Sequence, residues 1–419
     1  MSFRDLLADT FHTLAAHKLR TALTMFGITW GVISITVMVA AGEGMRVGFE
    51  RAKAQFGRDL LIVWAGRTSM QAGGTRAGRS LQWRATDHLH VERDSPSCRH
   101  VIPELTRGGI SIRSSYNNAS LLVSGSLPPF AEIRSIGVAE GRYPNWEDLA
   151  GARRVALVGS DAKKQLFGTR SALGETIGVG DFPYTVVGVM REKEQDSNYD
   201  GSDISKIFVP FSAMLQDHPN PPPSRPDAVS QLLVTPRSLE QHEACKAEIR
   251  RALARLHEFD PRDKEAVGIW DTIDQAKAFT QITDGMRYFL GGVGVATLFI
   301  GAIGVMNVML VAVRERTREI GVRKALGATR RSIVRQFFVE TLIVVFVSGG
   351  GGLALAYGFC GLVNLLPEIP YFAGLLPTWQ SGLASVLLLS TVALLSAIYP
   401  ASRAAAVDPI EALRWEAGG

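Results

Sequence analysis

Four stretches of the chain carry no charged residue: 23–41, 289–313, 341–366 and 382–399. At the helical rise of about 1.5 Å per residue the first reaches about 28 Å, enough to cross the hydrocarbon core of a bilayer. From about 42 to 286 nothing comparable occurs. Short apolar or alternating runs appear there instead, at 60–64, 110–113, 121–124, 155–158 and 184–189, separated by glycine and proline. Helical spacing appears at 161–167 and 239–259. The pattern predicts a membrane protein with four transmembrane α-helices plus a mixed α/β extracytoplasmic domain inserted between helices 1 and 2. Residues 1–41 hold an amphipathic N-terminal helix and the first span. Residues 42–286 form the external domain with a helical stalk. Residues 287–419 hold the other three spans, a cytoplasmic segment at 314–335 and a C-terminal tail.

The flanks of the spans refine this. Phe3, Leu7, Phe11 and Leu14 make one apolar helical face, with Arg4, Asp5 and His12 off it. The expectation is a helix lying on membrane lipid at the inner surface, an ordinary packed helix being the alternative. The first apolar run is too long for the core of a cleaved secretory signal and reads as an uncleaved anchor. Met45, Phe49, Ala52 and Phe56 continue a helical stripe beyond span one. Ile273, Ala276, Phe279, Ile282 and Met286 form another before span two, so the two stretches predict a stalk.

The net charge of +5 matters through its placement. Arg314, Arg316, Arg318, Arg323, Lys324, Arg330, Arg331 and Arg335 crowd the segment between spans two and three, against only Glu315 and Glu319. Residues 367–380 between spans three and four contain no lysine or arginine. Basic short loops stay cytoplasmic, so both termini are expected inside and the 42–286 domain outside. This placement points to membrane topology rather than nucleic acid as the reason for the basic balance. Residues 1–20 hold three basic residues and 42–60 hold four, but charge counts orient long translocated domains poorly.

No metal or catalytic spacing stands out in the external domain. Asp87, His88, His90, Glu92 and Asp94 form a polar cluster that reads better as a solvated helix or loop than as a metal site. Cys98 and Cys245 share one compartment in this topology, so a disulfide is open to them; Cys360 lies in an apolar run. The span interiors lack ionisable residues, which speaks against ion coupling; Asn307 and Asn364 are their notable polar groups. The glycine run at 349–352 has no following lysine and is not a phosphate loop. Gly350, Ala354 and Gly358 offer small residues at four-residue spacing, suited to close helix packing. Energy for any work must therefore come from another polypeptide. The 314–335 segment is its expected docking site, with Glu319 and Arg323 four apart on a short helix that Gly327 ends.

The run Arg314-Glu315-Arg316-Thr317-Arg318-Glu319-Ile320-Gly321-Val322-Arg323-Lys324-Ala325-Leu326-Gly327-Ala328 resembles the signature of the MacB/FtsX-like permeases of ABC transporters. Residues 400–414 resemble the family's tail, residues 18–24 and 27–32 its start, and 155–159, 166–168, 173–174 and 183–189 the MacB-type periplasmic core. The resemblance covers nearly the whole chain, and the long external region fits the MacB type better than the shorter FtsX type. It implies a bacterial inner-membrane protein forming a homodimer or pseudodimer. It also implies separate ABC ATPase subunits that bind ATP and Mg, with no cofactor in this chain. ATP-driven closure would move the coupling segment, and the stalk would relay that motion outward, a mechanism called mechanotransmission. Family members export antibiotics or peptides through a periplasmic adaptor and outer-membrane duct, release lipoproteins, or regulate cell-wall hydrolases. The resemblance assigns ATPase coupling to Arg314, Glu315, Arg316, Arg318, Glu319, Ile320, Gly321, Arg323, Lys324, Gly327 and Ala328. Glu315, Glu319, Arg323 and Lys324 are expected to make charged contacts, while Gly321 and Gly327 allow close approach and a turn. A membrane receptor or scaffold without an ATPase, and a membrane enzyme, are the other classes; the coupling motif and the missing catalytic pattern speak against them.

Overall fold

The computed structural model describes residues 18–56, 59–72, 74–193, 199–367, 369 and 372–406. The amphipathic pattern at 3–18, apart from Lys18, and the tail from 407 onward lie outside them. The chain divides into two compact units, Glu50–Phe279 and the remainder.

The remainder is helical. Its long elements are Lys18–Phe56, Thr272–Glu315, Arg330–Val363 and Trp379–Ala406, the first two running on into the other unit's residues. Among the described residues, Met25–Arg51, Thr272–Glu315 and Arg330–Val363 are long and apolar enough to cross a membrane. The fourth apolar stretch lies within the 28-residue helix Trp379–Ala406. Helices one and two approach through glycine. A Cβ on Gly301 would lie 3.3 Å from the Gly27 carbonyl oxygen, and one on Gly294 would lie 2.2 Å from Ile35. Where lipid replaces water outside, such close backbone packing supplies much of the association. Helix three meets helix one along Ser348 and Gly352: Thr29 Oγ1 donates to the Ser348 carbonyl at 3.0 Å. A Cβ on Gly352 would sit 2.8 Å from the Thr29 carbonyl oxygen. The packing inside the chain uses a different stripe from the expected one. Gly350, Ala354 and Gly358 are exposed in this chain, and the buried stripe is Ser348, Gly352 and Ala356. The run 349–352 places glycine on both faces, and within the chain helix one packs on the Gly352 face.

Beyond helix three, Asn364 brackets Leu375, accepting from its N–H at 2.7 Å and donating to its carbonyl at 2.8 Å. The same loop bonds helix one through Leu376 N to the Ala40 oxygen and Ala373 N to the Gly44 oxygen, both 3.0 Å. Backbone groups leaving a helix near lipid need such partners.

The Glu50–Phe279 unit is built on a mixed sheet. Its strands are β1 Leu61–Ala65, β2 Cys98–Arg113, β3 Asn118–Ser126, β4 Val138–Gly141, β5 Val155–Val158, β6 Thr176–Val179, β7 Phe182–Met190, β8 Lys206–Pro210, β9 Gln231–Pro236 and β10 Val267–Asp271. They run in the order β10-β1-β9-β2-β3-β8-β5-β7-β4, with β6 against β2 and β7. The pairs β3–β8 and β5–β7 are parallel. Both faces are covered. Leu61 and Val63 enter one core and Leu60 and Ile62 the other, so the run 60–63 reads as continuously apolar. Helix His242–His257 lies over the first core and is tied to β2 by a Cys98–Cys245 disulfide, with Cα atoms 5.2 Å apart. The second core encloses charge: Arg134 and Asp203 pair at 3.0 Å with no side-chain exposure, joined by Lys193 and Lys206. Removing one partner from such a buried pair strands the other.

The 65–79 stretch, rich in glycine, makes defined contacts. Thr68 N donates to the Arg79 oxygen at 2.9 Å, and the Asp263 carboxylate accepts from the Ser69 and Met70 amides at 2.7 and 2.9 Å. Aspartate from a distant part of the chain supplies the order that local composition lacks.

The two glycine faces give a direct test of the helix packing. Gly352→Val should destabilise the detergent-solubilised chain by the ~1–3 kcal/mol typical of an overpacked site, and so lower its melting temperature. Gly350→Val, with nothing within 4 Å of the new Cβ, should leave it unchanged.

Candidate coupling site and the root of the long helix

The basic segment folds as a hairpin of helices. Helix Thr272–Glu315 ends, Arg316 leaves helical geometry, and helix Thr317–Ala325 follows. Thr317 Oγ1 donates to the Val313 and Arg314 carbonyls at 3.1 and 2.8 Å, satisfying acceptors at the end of the preceding helix. Gly327, at φ +95°, turns the chain in a conformation that glycine adopts without steric cost. Around it Gly327 N bonds the Lys324 oxygen and Ala328 N the Arg323 oxygen, both 3.0 Å, closing the short helix. Thr329 then caps helix Arg330–Val363, accepting from Ser332 N at 3.3 Å.

Several predicted coupling residues turn inward. Glu319 and Arg323 pair at 2.6 Å, and Arg323 also donates to Gln336 at 2.8 Å. Arg316 lies 3.5 Å from Glu340, and Lys324 Nζ donates to the Ala405 carbonyl at 3.0 Å. Ile320 and Gly321 are buried, with a small void beside Ile320 bounded by Ile333 and Phe337. These contacts brace the short helix against the third and fourth long helices. The exposed pair Glu319–Arg323 is worth well under about 1 kcal/mol, so its effect is orientation more than stability. Arg314, Glu315, Arg318 and Gly327 are exposed, and Ala328 is half-buried. The solvent-facing surface also contains Val322, 40% exposed, and Leu326, 84% exposed. Neither is among the residues expected from the sequence to couple. Their i, i+4 spacing on an otherwise charged helix was the available signal.

The acidic–histidine cluster at 87–94 dissolves on inspection. Asp87 and His88 are buried in helix Asp87–Asp94 rather than solvated. Asp87 accepts from Arg84 N and from His257 Nε2, both at 2.7 Å, while His88 Nδ1 donates to the Ala85 carbonyl at 2.7 Å. The two side chains are occupied separately and do not converge.

A different cluster, unseen in the sequence, lies where helix Thr272–Glu315 leaves β10. His242, Glu243, Asp271 and Asp274 bring ligand atoms within 4.8 Å of one another. The cation there is Lys246, whose Nζ lies 2.7 Å from Asp271, 3.0 Å from Asp274 and 3.0 Å from Glu243. The buried His242 reaches Asp271 through Nε2 at 2.6 Å. Lys246 thus supplies positive charge to all three carboxylates of the cluster. Burial opposes ionisation of Asp271, but the Lys246 ammonium, the Asp274 amide and His242 outweigh it and hold the carboxyl at about 2. The same carboxylates raise the Lys246 ammonium above its ordinary value, against the cost of burial.

A carboxyl held below its unfolded value stabilises the fold above that value, and the contribution disappears as pH falls through the folded one. For Asp271 the window is about pH 4 down to about 2. Asp271→Asn should therefore lower thermal stability at pH 7, and the gap to the parent chain should narrow as melting is followed through that window.

Similarity to other proteins covers both units. The MacB-like periplasmic core domain model matches residues 21–252, and the FtsX-like permease C-terminal model matches 291–409. The chain is 31% identical over 418 residues to the pyoverdine export ATP-binding/permease protein PvdT of Pseudomonas entomophila (strain L48), covering 98% of this chain and 60% of that protein. It is 27% identical over 416 residues to the uncharacterized ABC transporter permease YknZ of Bacillus subtilis (strain 168), covering 99% of this chain and all of that one. The periplasmic region of MacB from Actinobacillus actinomycetemcomitans, a solved structure, gives a TM-score of 0.43 at 17% identity, covering 55% of this chain and 95% of that region. The chain thus spans about three fifths of the fused ATP-binding/permease relative and the full length of the separate permease. With the periplasmic-core model alone matching more than half of its residues, the chain belongs to the MacB/FtsX-like ABC transporter permeases.

Proposed function

We propose that this chain is the permease subunit of an ABC transporter whose ATP hydrolysis takes place on a separate ATPase subunit. Four spans hold it in the bacterial inner membrane, with both termini cytoplasmic and the 50–279 unit outside, inserted between spans one and two. Two copies pair with the ATPase subunits, which carry ATP and Mg. ATP-driven closure moves helix Thr317–Ala325, and the long helices pass the motion to the external domain. The work is efflux of antibiotics, peptides or similar molecules, with a periplasmic adaptor and outer-membrane duct as further partners. The name of the fused relative, which specifies pyoverdine export, supports an export role.

The observation that carries this reading is the construction of the short helix. Its inward side is braced by Arg323 on Gln336 and Lys324 on the Ala405 carbonyl, while Val322 and Leu326 face solvent. An exposed apolar pair on a charged, rigidly held helix has the anatomy of a docking core with a polar rim. The account therefore moves the weight of ATPase contact from the charges to Leu326. The charges keep that residue presented.

Affinity purification of the chain from native membranes, with ATP and vanadate present, should bring down an ABC ATPase in near-equal amount. Failure to find any ATPase bound or stimulated by the chain would favour a receptor or scaffold. Glu319→Lys should uncouple ATP hydrolysis from function in a folded protein, because it replaces the partner of Arg323 with a like charge. Leu326→Asp should reduce recovery of the ATPase by tenfold or more, on the order of 1.4 kcal/mol or above for a buried anchor. Normal coupling in the first variant and normal recovery in the second would refute the assignment.

A further inference from the structure

We propose that Lys246 and His242 are positioning residues that clamp the first turn of helix Thr272–Glu315 to the external domain, so that motion of the helix is delivered to the domain instead of lost at a hinge. The proposal rests on the functional reading above and adds the joint at which transmission is made.

The mechanical problem is specific. A helix of 44 residues is about 66 Å long, and it joins β10 through one covalent connection at Asp271–Thr272. Left alone, such a junction pivots, because a few backbone torsions at an element terminus can absorb a large rotation. Here the first turn is held from two sides. Thr272 N and Thr272 Oγ1 both donate to the Leu60 carbonyl, at 3.1 and 2.8 Å, and Leu60 N donates back to Thr272 Oγ1 at 3.0 Å. Leu60 immediately precedes β1, which pairs with β10 along its whole length. On the other side Lys246 bridges Asp271 and Asp274, and His242 bonds Asp271. Asp271 Oδ1 meanwhile accepts from the Ile273 and Asp274 amides at 3.0 Å each, capping the helix it precedes. One carboxylate thus joins the helix start to the clamp.

The clamp is itself anchored. His242 and Lys246 lie on helix His242–His257, and Cys245, next to Lys246, carries the disulfide to Cys98 at the start of β2. The path from the long helix to the middle of the sheet is therefore ionic for one step and covalent for the next. Asp271 and Lys246 are 12% and 22% exposed, so water screens the pair only partly. Charge-assisted bonds of this kind are directional and hold an angle, which apolar contact does less well.

The test uses the full chain with its ATPase in lipid nanodiscs, comparing backbone hydrogen exchange of residues 50–279 without nucleotide and with ATP and vanadate. In the parent complex ATP–vanadate should change exchange in this unit. In Lys246→Gln that response should shrink roughly fivefold or more, the scale of a lost inter-site coupling, while ATP turnover is unchanged. Lys246→Arg should restore it, and Cys98→Ser with Cys245→Ser should also weaken it. Asp274→Asn, at the more exposed end of the clamp, carries the same test should Lys246→Gln fail to fold. A full ATP response in folded Lys246→Gln or Asp274→Asn would overturn the clamp and leave the functional reading standing. No response in the parent complex would instead contradict the functional reading, and the clamp with it.

Discussion

A bilayer's hydrocarbon core is about 30 Å thick, and the helix Thr272–Glu315 is about twice that length. Much else in the chain follows from this mismatch. One part of the helix must be apolar on all sides for lipid, and the rest must find partners in water. The sequence meets both demands, with an uncharged run at 289–313 and a one-sided stripe at 273–286. Backbone hydrogen bonding continues through the helix from Thr272 to Glu315. Its two ends, at Thr272 and at Glu315, are consequently where the structure invests its specific polar contacts.

Those ends are built on different chemistry. At Glu315 the charges are numerous, and several point inward: Arg316 toward Glu340, Arg323 toward Gln336, Lys324 toward the end of the fourth long helix. They brace a short helix and leave Leu326 outermost. At Thr272 the charges converge on Lys246 and Asp271, which are largely buried, and a disulfide lies one residue away from Lys246. An exposed apolar tip suits a surface that binds another protein. A partly buried ionic clamp suits a joint that must not slip.

Legibility from sequence followed the range of the interactions. The apolar helices and the runs near 60–64, 121–124, 155–158 and 184–189 were readable because burial imposes local periodicity. So was the turn at Gly327, which depends on one residue's own conformational freedom. Helix facing was harder. Consecutive glycines at 349–352 carry no phase, and only the position of Thr29, more than three hundred residues away in sequence, selects Gly352 over Gly350. The joint at Thr272 was invisible, since Lys246 and Asp271 meet only after β10 pairs with β1 and the helix His242–His257 settles on the sheet. The short helix at 317–325 was legible from its charge spacing, but the direction its charges take was not. A list of arginines does not tell which ones face their own protein.

The central claim is that the exposed tip of the short helix receives an ATPase. A photoreactive amino acid placed at Leu326 in the full-length chain and activated in native membranes tests it most directly. The account predicts one dominant adduct, containing an ABC ATPase, that is lost when the probe is moved to the buried Ile320. An adduct with lipid alone, or the same adducts from both positions, would contradict it.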